Sequence, residues 1–265
     1  MTTALDRIVD YKKDEVARLK LERSSQSFLA DIKTLSKPRG FEKRLNDVAA
    51  TGSNALICEV KRKSPSAGLI LADAHPKDIA RQYERAGAAC LSILTDFPSF
   101  GGNLEDFQEV RESVEIPMLR KDFMIDPIQI LESRASGADC ILVIMASLDD
   151  KVAKDLFDLA TELGMDTLVE VHDAIELDRA MAFSPTLVGV NNRNLKTMTT
   201  DLATSELLAG KSTPHSLVSE SGVKTPDDIC RLRQFGYRRF LIGESLMKQT
   251  DREHAVKSLV NARVD

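Results

Sequence analysis

Several common signatures are missing from this sequence of 265 residues. No apolar run approaches the roughly 18 residues that a membrane helix needs. The charged N-terminus, MTTALDRIVDYKKDEV, lacks the apolar segment of a signal peptide. We therefore expect a cytoplasmic protein with no membrane partner. The net charge of −5 shows no basic excess, which argues against a nucleic-acid partner.

Cysteine and histidine are sparse. Cys58, Cys90, Cys140 and Cys230 are far apart and form no CxxC pair, and three of them lie in strand-like runs. We expect reduced core cysteines rather than disulfides or metal ligands. The histidines form no HxH or HExxH pattern, so no metal site is predicted. A GxGxxG loop and a nicotinamide or flavin fingerprint are also missing, and we predict no cofactor.

The chain does contain a regular alternation of short apolar runs and helix-like segments. Its composition is typical of a globular protein. The predicted strands are ALICEV (55–60), CLSIL (90–94), IPMLR (116–120), CILVIM (140–145), TLVEV (167–171), TLVGV (186–190), HSLVSE (215–220) and RFLIG (239–243). The predicted helices between and after them are 76–87, 103–114, 126–136, 149–163, 173–182, 200–209, 225–235 and a last segment from about 245. Asp149 and Thr225 stand where helix N-caps belong, and Pro226 follows at the first helical position.

Eight such units predict an α/β fold, a (β/α)8 TIM barrel that forms one domain over residues 1–265. Strands that are apolar along their whole length are typical of a parallel sheet covered by helices. The alternative is a doubly wound open sheet, which usually carries a Gly-rich phosphate loop after its first strand.

The residues before the first strand, from 1 to about 50, are predicted to form a helical N-terminal extension. The segment ALDRIVDYKKDEVARLKLE places Leu5, Ile8, Val16 and Leu19 on one apolar helix stripe. A second short helix is predicted from about Ser27.

Polar and charged side chains follow strand after strand, at the end where a TIM barrel holds its active site. The first predicted strand ends in Glu59 and Lys61, the third in Lys121, the fifth in Glu170, and the sixth in Asn191 and Arg193. Alternate residues of a strand share a face, so Glu59 and Lys61 point the same way. Structural ion pairs are the alternative, but convergence from several strands favours a site for proton transfer.

The segments SESG and IGES predict a phosphate site. They place Ser221, Gly222 and Gly243 just after the seventh and eighth strands, where many TIM barrels bind phosphate. Glycine allows a backbone N–H to approach an oxyanion, and helix N-termini favour negative charge. Ordinary turns are the alternative for each glycine. We predict a small phosphorylated substrate.

The chain from about Leu5 to Met247 resembles the indole-3-glycerol phosphate synthase family. The resemblance lies in CEVKRKSPSAG, LTDFPSFGGNLEDF, PMLRKDFMIDPIQI, GMDTLVEVHD, VGVNNRNLKT, VSESGV and FLIGESLM. It implies a TIM-barrel lyase of tryptophan biosynthesis that uses no cofactor. The implied substrate is the anthranilate-derived 1-(2-carboxyphenylamino)-1-deoxyribulose 5-phosphate, which closes a ring and loses CO₂ and water to give indole-3-glycerol phosphate.

The resemblance also implies roles for the charged residues. Lys121 would be the general acid that protonates the substrate's carbonyl oxygen during ring closure, with Glu170 as its partner carboxylate. Lys61 and Glu59 would be the acid and base of the dehydration, and Asn191 would orient the groups beside it. Which lysine serves which step stays open.

Further residues are implied to bind substrate. Ser64 would hold the anthranilate carboxylate, and Arg193 would serve the phosphate side. The apolar ring pocket would be walled by Phe100, Phe123, Leu142, Ile144 and Leu195, with Phe97 as a competitor of Phe100. The phosphate would meet Ser221, Gly222, Gly243 and Glu244. For Glu244 we predict that only the backbone N–H contributes, because its carboxylate would repel a phosphate.

Two other functions remain open at this point. One is a different cofactor-free, phosphate-binding barrel, such as an isomerase or an aldolase that forms a Schiff base on Lys121 or Lys61. The other is a barrel without catalysis that binds a phosphorylated metabolite or a partner. The sequence does not determine the oligomeric state, for which a monomer is the working expectation.

Overall fold

The computed structural model describes residues 3–195, 197–211 and 216–263. Its strands are β1 (Ala55–Val60), β2 (Lys63–Ser64), β3 (Gly68–Leu69), β4 (Cys90–Leu94), β5 (Met118–Lys121), β6 (Cys140–Ile144), β7 (Asp166–Val171), β8 (Leu187–Asn191), β9 (Ser216–Glu220) and β10 (Arg239–Ile242). Its helices are α1 (Ala4–Glu22), α2 (Ser25–Ile32), α3 (Phe41–Ala50), α4 (Pro76–Arg85), α5 (Phe97–Phe100), α6 (Leu104–Ser113), α7 (Pro127–Ala135), α8 (Asp150–Glu162), α9 (Ala174–Met181), α10 (Ala203–Ala209), α11 (Pro226–Arg233), α12 (Glu244–Met247) and α13 (Arg252–Val260).

Eight parallel strands close into a barrel in the order β1-β10-β9-β8-β7-β6-β5-β4, which confirms the predicted (β/α)8 fold. The remaining pair, β2 and β3, is a small antiparallel ribbon in the loop after β1. The eight barrel strands match the predicted ones to within two residues at each end. His215, which was predicted to begin the seventh strand, lies outside the described residues.

Strand alternation divides the apolar side chains into two cores. Ile57, Leu119, Leu168 and Val218 fill the barrel interior. The alternate residues, such as Val60, face outward and pack against the ring of helices. Of the cysteines, Cys58, Cys90 and Cys140 are buried, and Cys230 is partly exposed. The first three are therefore core residues, as predicted.

The N-terminal extension contains one helix more than the sequence indicated. α1 and α2 pack against α7 through Val16, Phe28, Ile128 and Leu131. The additional helix, α3, closes the N-terminal end of the barrel, where its Phe41 is fully buried in the interior core.

Two other local predictions were incomplete. The short helix α5 precedes α6, and the last predicted helix is divided into α12 and α13. Asp149 and Thr225 do cap α8 and α11, since each side chain accepts a hydrogen bond from a backbone N–H of the first turn. Both were predicted from their positions before a helical stretch.

Candidate active site

A cavity of about 810 Å³ opens at the C-terminal ends of the barrel strands. Every residue that the sequence predicted for the site lines it: Glu59, Lys61, Ser64, Phe100, Lys121, Phe123, Leu142, Ile144, Glu170, Asn191, Arg193, Leu195, Ser221, Gly222, Gly243 and Glu244. The barrel brings these residues together because parallel strands all end at the same rim. The geometry places the side chains in one site, while their individual roles stay predictions.

Lys121, the last residue of β5, bridges two buried carboxylates. Its Nζ lies 2.9 Å from Oε2 of Glu170 and 2.6 Å from Oε2 of Glu220. Asn191 donates a hydrogen bond to the other oxygen of Glu170, at 3.1 Å. Burial by itself would lower the pKa of Lys121, but the two carboxylates outweigh it and raise the pKa well above its usual value. Lys121 is therefore an ammonium group at neutral pH.

Glu220 is a member of this cluster that the sequence analysis did not select. Burial, together with the negative charge of Glu170, raises the pKa of Glu220 to about 7, although Lys121 opposes the shift. Gly189 on the neighbouring strand makes room for it, because a Cβ there would lie 2.0 Å from Oε1 of Glu220. Strand alternation from Val218, which points into the barrel, would have identified Glu220 as an inward residue.

His172 contacts Glu170 and is a second residue of the cluster that the sequence analysis did not select. Its Nε2 lies 3.4 Å from Oε1 of Glu170, and its Nδ1 lies 2.9 Å from Oε2 of Glu176. Burial alone would lower the pKa of His172, but the two glutamates raise it to about 10. Burial would likewise raise the pKa of Glu170, but Lys121 and His172 hold it well below its ordinary value. Glu170 is therefore ionised.

Glu59 and Lys61 form a second acid–base couple on the wall made by β1. Lys61 Nζ lies 2.5 Å from Oε1 of Glu59, and Glu59 is 4% exposed. Gly243 packs directly on this carboxylate, since a Cβ at that position would come within 2.4 Å of Oε1. The glycine that was predicted to meet a phosphate therefore also provides space for Glu59.

The apolar wall lies beside the charged groups. The rings of Phe100 and Phe123 have their centroids 6.1 Å apart, and the end of β6 adds Leu142 and Ile144. Phe97 is 68% exposed and does not line the cavity, so the structure favours Phe100 for this wall. Residues of α1, which the sequence did not assign to the site, line it as well: Ala4, Leu5 and Ile8.

Ser64 lies in the loop after β1, where its hydroxyl accepts a hydrogen bond from the Ala67 N–H at 3.1 Å. The loop is fastened to the neighbouring unit by Arg62, which binds the carboxylate of Asp106 and donates to the carbonyl of Gly101 at 3.1 Å. Ser64 is thus held at the cavity edge by a short turn whose base is fixed by an ion pair.

The opposite end of the cavity has the features of an anion site. Ser221 and Gly222 follow β9 with φ angles of 63° and 89°. This left-handed conformation is uncommon for serine and is favoured by glycine. A Cβ on Gly222 would also approach Thr200 to 2.7 Å. Two consecutive residues of this kind turn the backbone sharply at the rim.

Of the described residues, the cations Arg193, Lys224 and Lys248 line this end. The carboxylate of Glu244 lies 2.6 Å from Lys248 Nζ and 3.9 Å from Arg193 Nη2. These contacts offset its negative charge and lower its pKa, with Lys248 as the main cause. The expected repulsion between Glu244 and a phosphate is thereby reduced. That only its backbone N–H contributes stays a prediction.

The described residues contain neither a metal-site candidate nor a helix that could span a membrane. Among residues 3–195, 197–211 and 216–263, no group of three or more His, Cys, Asp or Glu side chains is placed to hold a metal ion. Over the same ranges, no helix has both the length and the apolar character to cross a membrane.

The fold is similar to that of solved structures of tryptophan synthase alpha subunits from Legionella pneumophila. One from the Paris strain has a TM-score of 0.63 and 13% sequence identity, with 86% of this chain and 98% of that chain covered. A second, from the subspecies pneumophila, has the same TM-score and identity, with 86% and 97% covered. At this identity the likeness concerns the fold alone.

Sequence comparison identifies the family. The model of the family described as indole-3-glycerol phosphate synthase matches residues 5–259. An indole-3-glycerol phosphate synthase from Hyphomonas neptunium is 58% identical over 98% of both chains. Enzymes of the same name from Rhodospirillum rubrum and Azospirillum brasilense are 48% and 46% identical over 98% of this chain and 100% of theirs. The chain belongs to the indole-3-glycerol phosphate synthase family.

Proposed function

We propose that this cavity converts 1-(2-carboxyphenylamino)-1-deoxyribulose 5-phosphate to indole-3-glycerol phosphate, CO₂ and water, as a carboxy-lyase of tryptophan biosynthesis. The observation that carries the proposal is the presence of two separate lysine–glutamate couples, Lys121 with Glu170 and Lys61 with Glu59, in one cavity. The reaction has two stages that each need a proton on oxygen. The family match supports this substrate.

In the first stage, the ring carbon that bears the carboxylate forms a bond to the substrate's carbonyl carbon. Negative charge develops on the carbonyl oxygen, and Lys121 is the ammonium group that donates a proton to it. Glu170 and Glu220 hold the Lys121 Nζ between them and so fix its direction. The carboxylate then leaves as CO₂, and its bonding electrons restore the aromatic ring.

In the second stage, the new hydroxyl leaves as water and a double bond closes the indole. Lys61 protonates the departing hydroxyl, and Glu59 takes the proton from the carbon next to nitrogen. The distance of 2.5 Å between Lys61 Nζ and Glu59 Oε1 allows the proton to pass between them and reset the couple. Separate couples suit the two stages, because the Lys61–Glu59 couple is still in its starting protonation state after Lys121 has given up its proton. Lys121 regains a proton from solvent before the next turnover.

Binding must hold an aromatic ring against a flexible sugar chain. The wall formed by Phe100 and Phe123 would contact the ring, while the end near Ser221, Gly222 and Arg193 would bind the phosphate. Anchoring both ends brings the reacting carbons into near-attack geometry, a contribution of about 7–11 kcal/mol in well-oriented reactions. Ser64 would hold the carboxylate at the edge of the apolar wall until it leaves.

An aldolase that forms a Schiff base on Lys121 is the second candidate, and the electrostatics disfavour it. A Schiff base begins with attack by a neutral amine, whereas the carboxylates around Lys121 raise its pKa. Borohydride treatment in the presence of substrate distinguishes the Schiff-base mechanism from the acid–base mechanism. A lysine adduct found by mass spectrometry would reject the acid–base mechanism.

The decisive experiment is a fluorescence assay of indole formation from the proposed substrate. Lys121→Ala is expected to lower kcat by at least about 10³-fold, because it removes a general acid. Lys151→Ala is the matched control, since Lys151 is 83% exposed and pairs with Asp155, one turn further along α8. Turnover near the wild-type value in Lys121→Ala would reject the assignment of Lys121.

We further propose that the protein works as a monomer in the cytoplasm. The free cysteines, three of them buried in the core, support the cytoplasm, because they suit a reducing compartment. Light scattering after size-exclusion chromatography tests the oligomeric state. A mass near twice the 29.3 kDa of one chain would replace the monomer with a dimer.

A further inference from the structure

We propose that Lys12 of α1 is a positioning residue for the active site, because it binds Asp96 and Asp122 together and so fixes the two segments that carry Phe100 and Lys121. The inference rests on the proposed function for its kinetic consequences, but its structural part does not depend on that function. Lys12 lines no part of the cavity and has no place in the proposed acid–base chemistry.

Lys12 is an unusual residue at its position. It lies four residues after Ile8 and four before Val16, so it occupies the middle of the apolar stripe of α1. Its side chain is 3% exposed, and its Nζ lies 2.8 Å from Oδ1 of Asp122 and 3.0 Å from Oδ1 of Asp96. A buried ammonium group is costly unless it is paired. Here its partners are two aspartates of the barrel rim and Glu15 of its own helix.

Each aspartate is bonded to the backbone of a segment that lines the cavity. Asp96 caps α5 by accepting a hydrogen bond from the Ser99 N–H at 2.9 Å, and α5 ends in Phe100. Asp122 directly follows Lys121 and accepts from the Phe123 N–H at 2.8 Å. One ammonium group therefore links the segment of Phe100 to the segment of Lys121 and Phe123.

Neighbouring side chains reinforce the link but do not replace Lys12. Tyr11 donates to Oδ1 of Asp96 at 2.8 Å, and Thr95 donates to Oδ2 of Asp122 at 2.6 Å. Arg120 reaches Asp122 only at 3.4 Å and makes a closer ion pair, of 2.8 Å, with Glu132. Without Lys12, the two buried carboxylates would lose the cation that they share. Their repulsion would then shift Asp96 and Asp122 relative to each other, beyond the point where β4 and β5 are paired.

The test compares Lys12→Met with Lys13→Met. Methionine keeps the apolar length of Lys12 and removes its charge, while Lys13 is 64% exposed and pairs with Asp10 on the surface of α1. In folded protein, Lys12→Met is expected to lower kcat by about 10-fold to 100-fold, the scale of a displacement of about 1 Å at a reactive group, and to raise KM as the ring pocket loosens. Lys13→Met should match the wild type.

A purely structural role for Lys12 predicts a different result. The thermal midpoint would fall, but kcat and KM measured well below that midpoint would equal the wild-type values. That outcome would overturn the proposal. If Lys12→Met does not fold, Asp96→Asn replaces it, because the asparagine oxygen can still cap α5, while the amide nitrogen takes the place of the Oδ1 that binds Lys12 and accepts from Tyr11. A raised KM is expected there, and an unchanged KM and kcat would count against the proposal equally.

A spectroscopic readout separates this inference from the proposed function. The chain contains three tyrosines but no tryptophan, so Phe100→Trp introduces one tryptophan at the cavity wall that can be excited selectively at wavelengths where tyrosine does not absorb. Adding Lys12→Met to this variant should shift the emission to longer wavelength, since the ring becomes more exposed to water, whereas adding Lys13→Met should not. If the wild type fails to form indole, the proposed function falls while this measurement still decides the positioning role. An unshifted emission would reject it.

Discussion

At the scale of single residues, the site depends on glycines as much as on charged side chains. Glu220 and Glu59 are both nearly buried, and each lies against a glycine of the neighbouring wall, Gly189 or Gly243. Neither glycine has a left-handed backbone, so the requirement is for space and not for conformational freedom. These glycines set where the carboxylates lie and therefore where the lysines are held.

Gly189→Ala tests this requirement. Its Cβ would lie 2.0 Å from Oε1 of Glu220, so the carboxylate that Lys121 contacts must shift. We expect kcat to fall by at least about tenfold while the protein still folds, because overpacking costs about 1–3 kcal/mol and the displaced atom ends a flexible side chain. Steady-state kinetics and urea denaturation measure the two effects.

Gly210→Ala is the control, since no atom of the residues that the structure describes lies within 4 Å of the added Cβ, and the backbone of Gly210 is not left-handed. Unchanged kcat in Gly189→Ala would show that the contact between Glu220 and Lys121 is not needed for turnover.

At the scale of elements, the helices begin at residues that the sequence makes recognisable. Thr225 accepts from the Asp228 N–H while the Asp228 carboxylate accepts from the Thr225 N–H, and Pro226 occupies the first turn. This capping box satisfies two backbone N–H groups that the helix itself leaves unpaired. A cap of this kind fixes the residue at which the helix begins. It therefore limits the movement of the loop that joins the helix to the preceding strand end at the cavity.

Removal of one cap should affect stability and not catalysis. Thr225→Ala is expected to lower the free energy of unfolding by about 1 kcal/mol, the usual cost of losing an N-cap hydroxyl. Thr225→Ser retains the hydroxyl and should lose much less. Denaturant unfolding measures both, and kcat at low temperature should be equal in the two variants. A large loss of kcat in Thr225→Ala alone would mean that α11 also positions the site.

At the scale of the whole molecule, stability and function lie at opposite ends of the barrel. α3 closes the end where strands begin: Glu42 N–H donates to Asp166 at the start of β7, and Asn46 accepts from Arg239 at the start of β10. Phe41 of the same helix is fully buried against the barrel interior. The cavity lies at the other end, where strands finish.

Phe41→Ala should therefore destabilise the protein without changing its chemistry. We expect a loss of about 3–5 kcal/mol in the free energy of unfolding, as for other buried phenylalanines. The kcat of the folded enzyme, assayed at low temperature, should equal that of the wild type. Phe235→Ala is the control, because Phe235 is 45% exposed. A lowered kcat in folded Phe41→Ala would show that the two ends are coupled.

The sequence determined the barrel and most of the site because both depend on local patterns. Strand and helix periodicities recur in short windows, and the barrel then gathers whatever follows each strand at one rim. Lys61, Lys121 and Glu170 were found in this way, and so were the glycines of SESG and IGES. The quoted motifs also identified the family.

Contacts between distant parts of the chain were decided only by the tertiary structure. The helix α3 has a short amphipathic pattern whose buried partner, the barrel interior, is formed by residues far along the sequence. Lys12 interrupts an apolar stripe, but its partners, Asp96 and Asp122, are more than 80 residues away. Glu220 became a member of the cluster only when β9 closed against β8 and brought it to Lys121. Local sequence patterns determine where the helices and strands form. Which buried charges pair is decided later, because it depends on which of these elements become neighbours when the barrel closes.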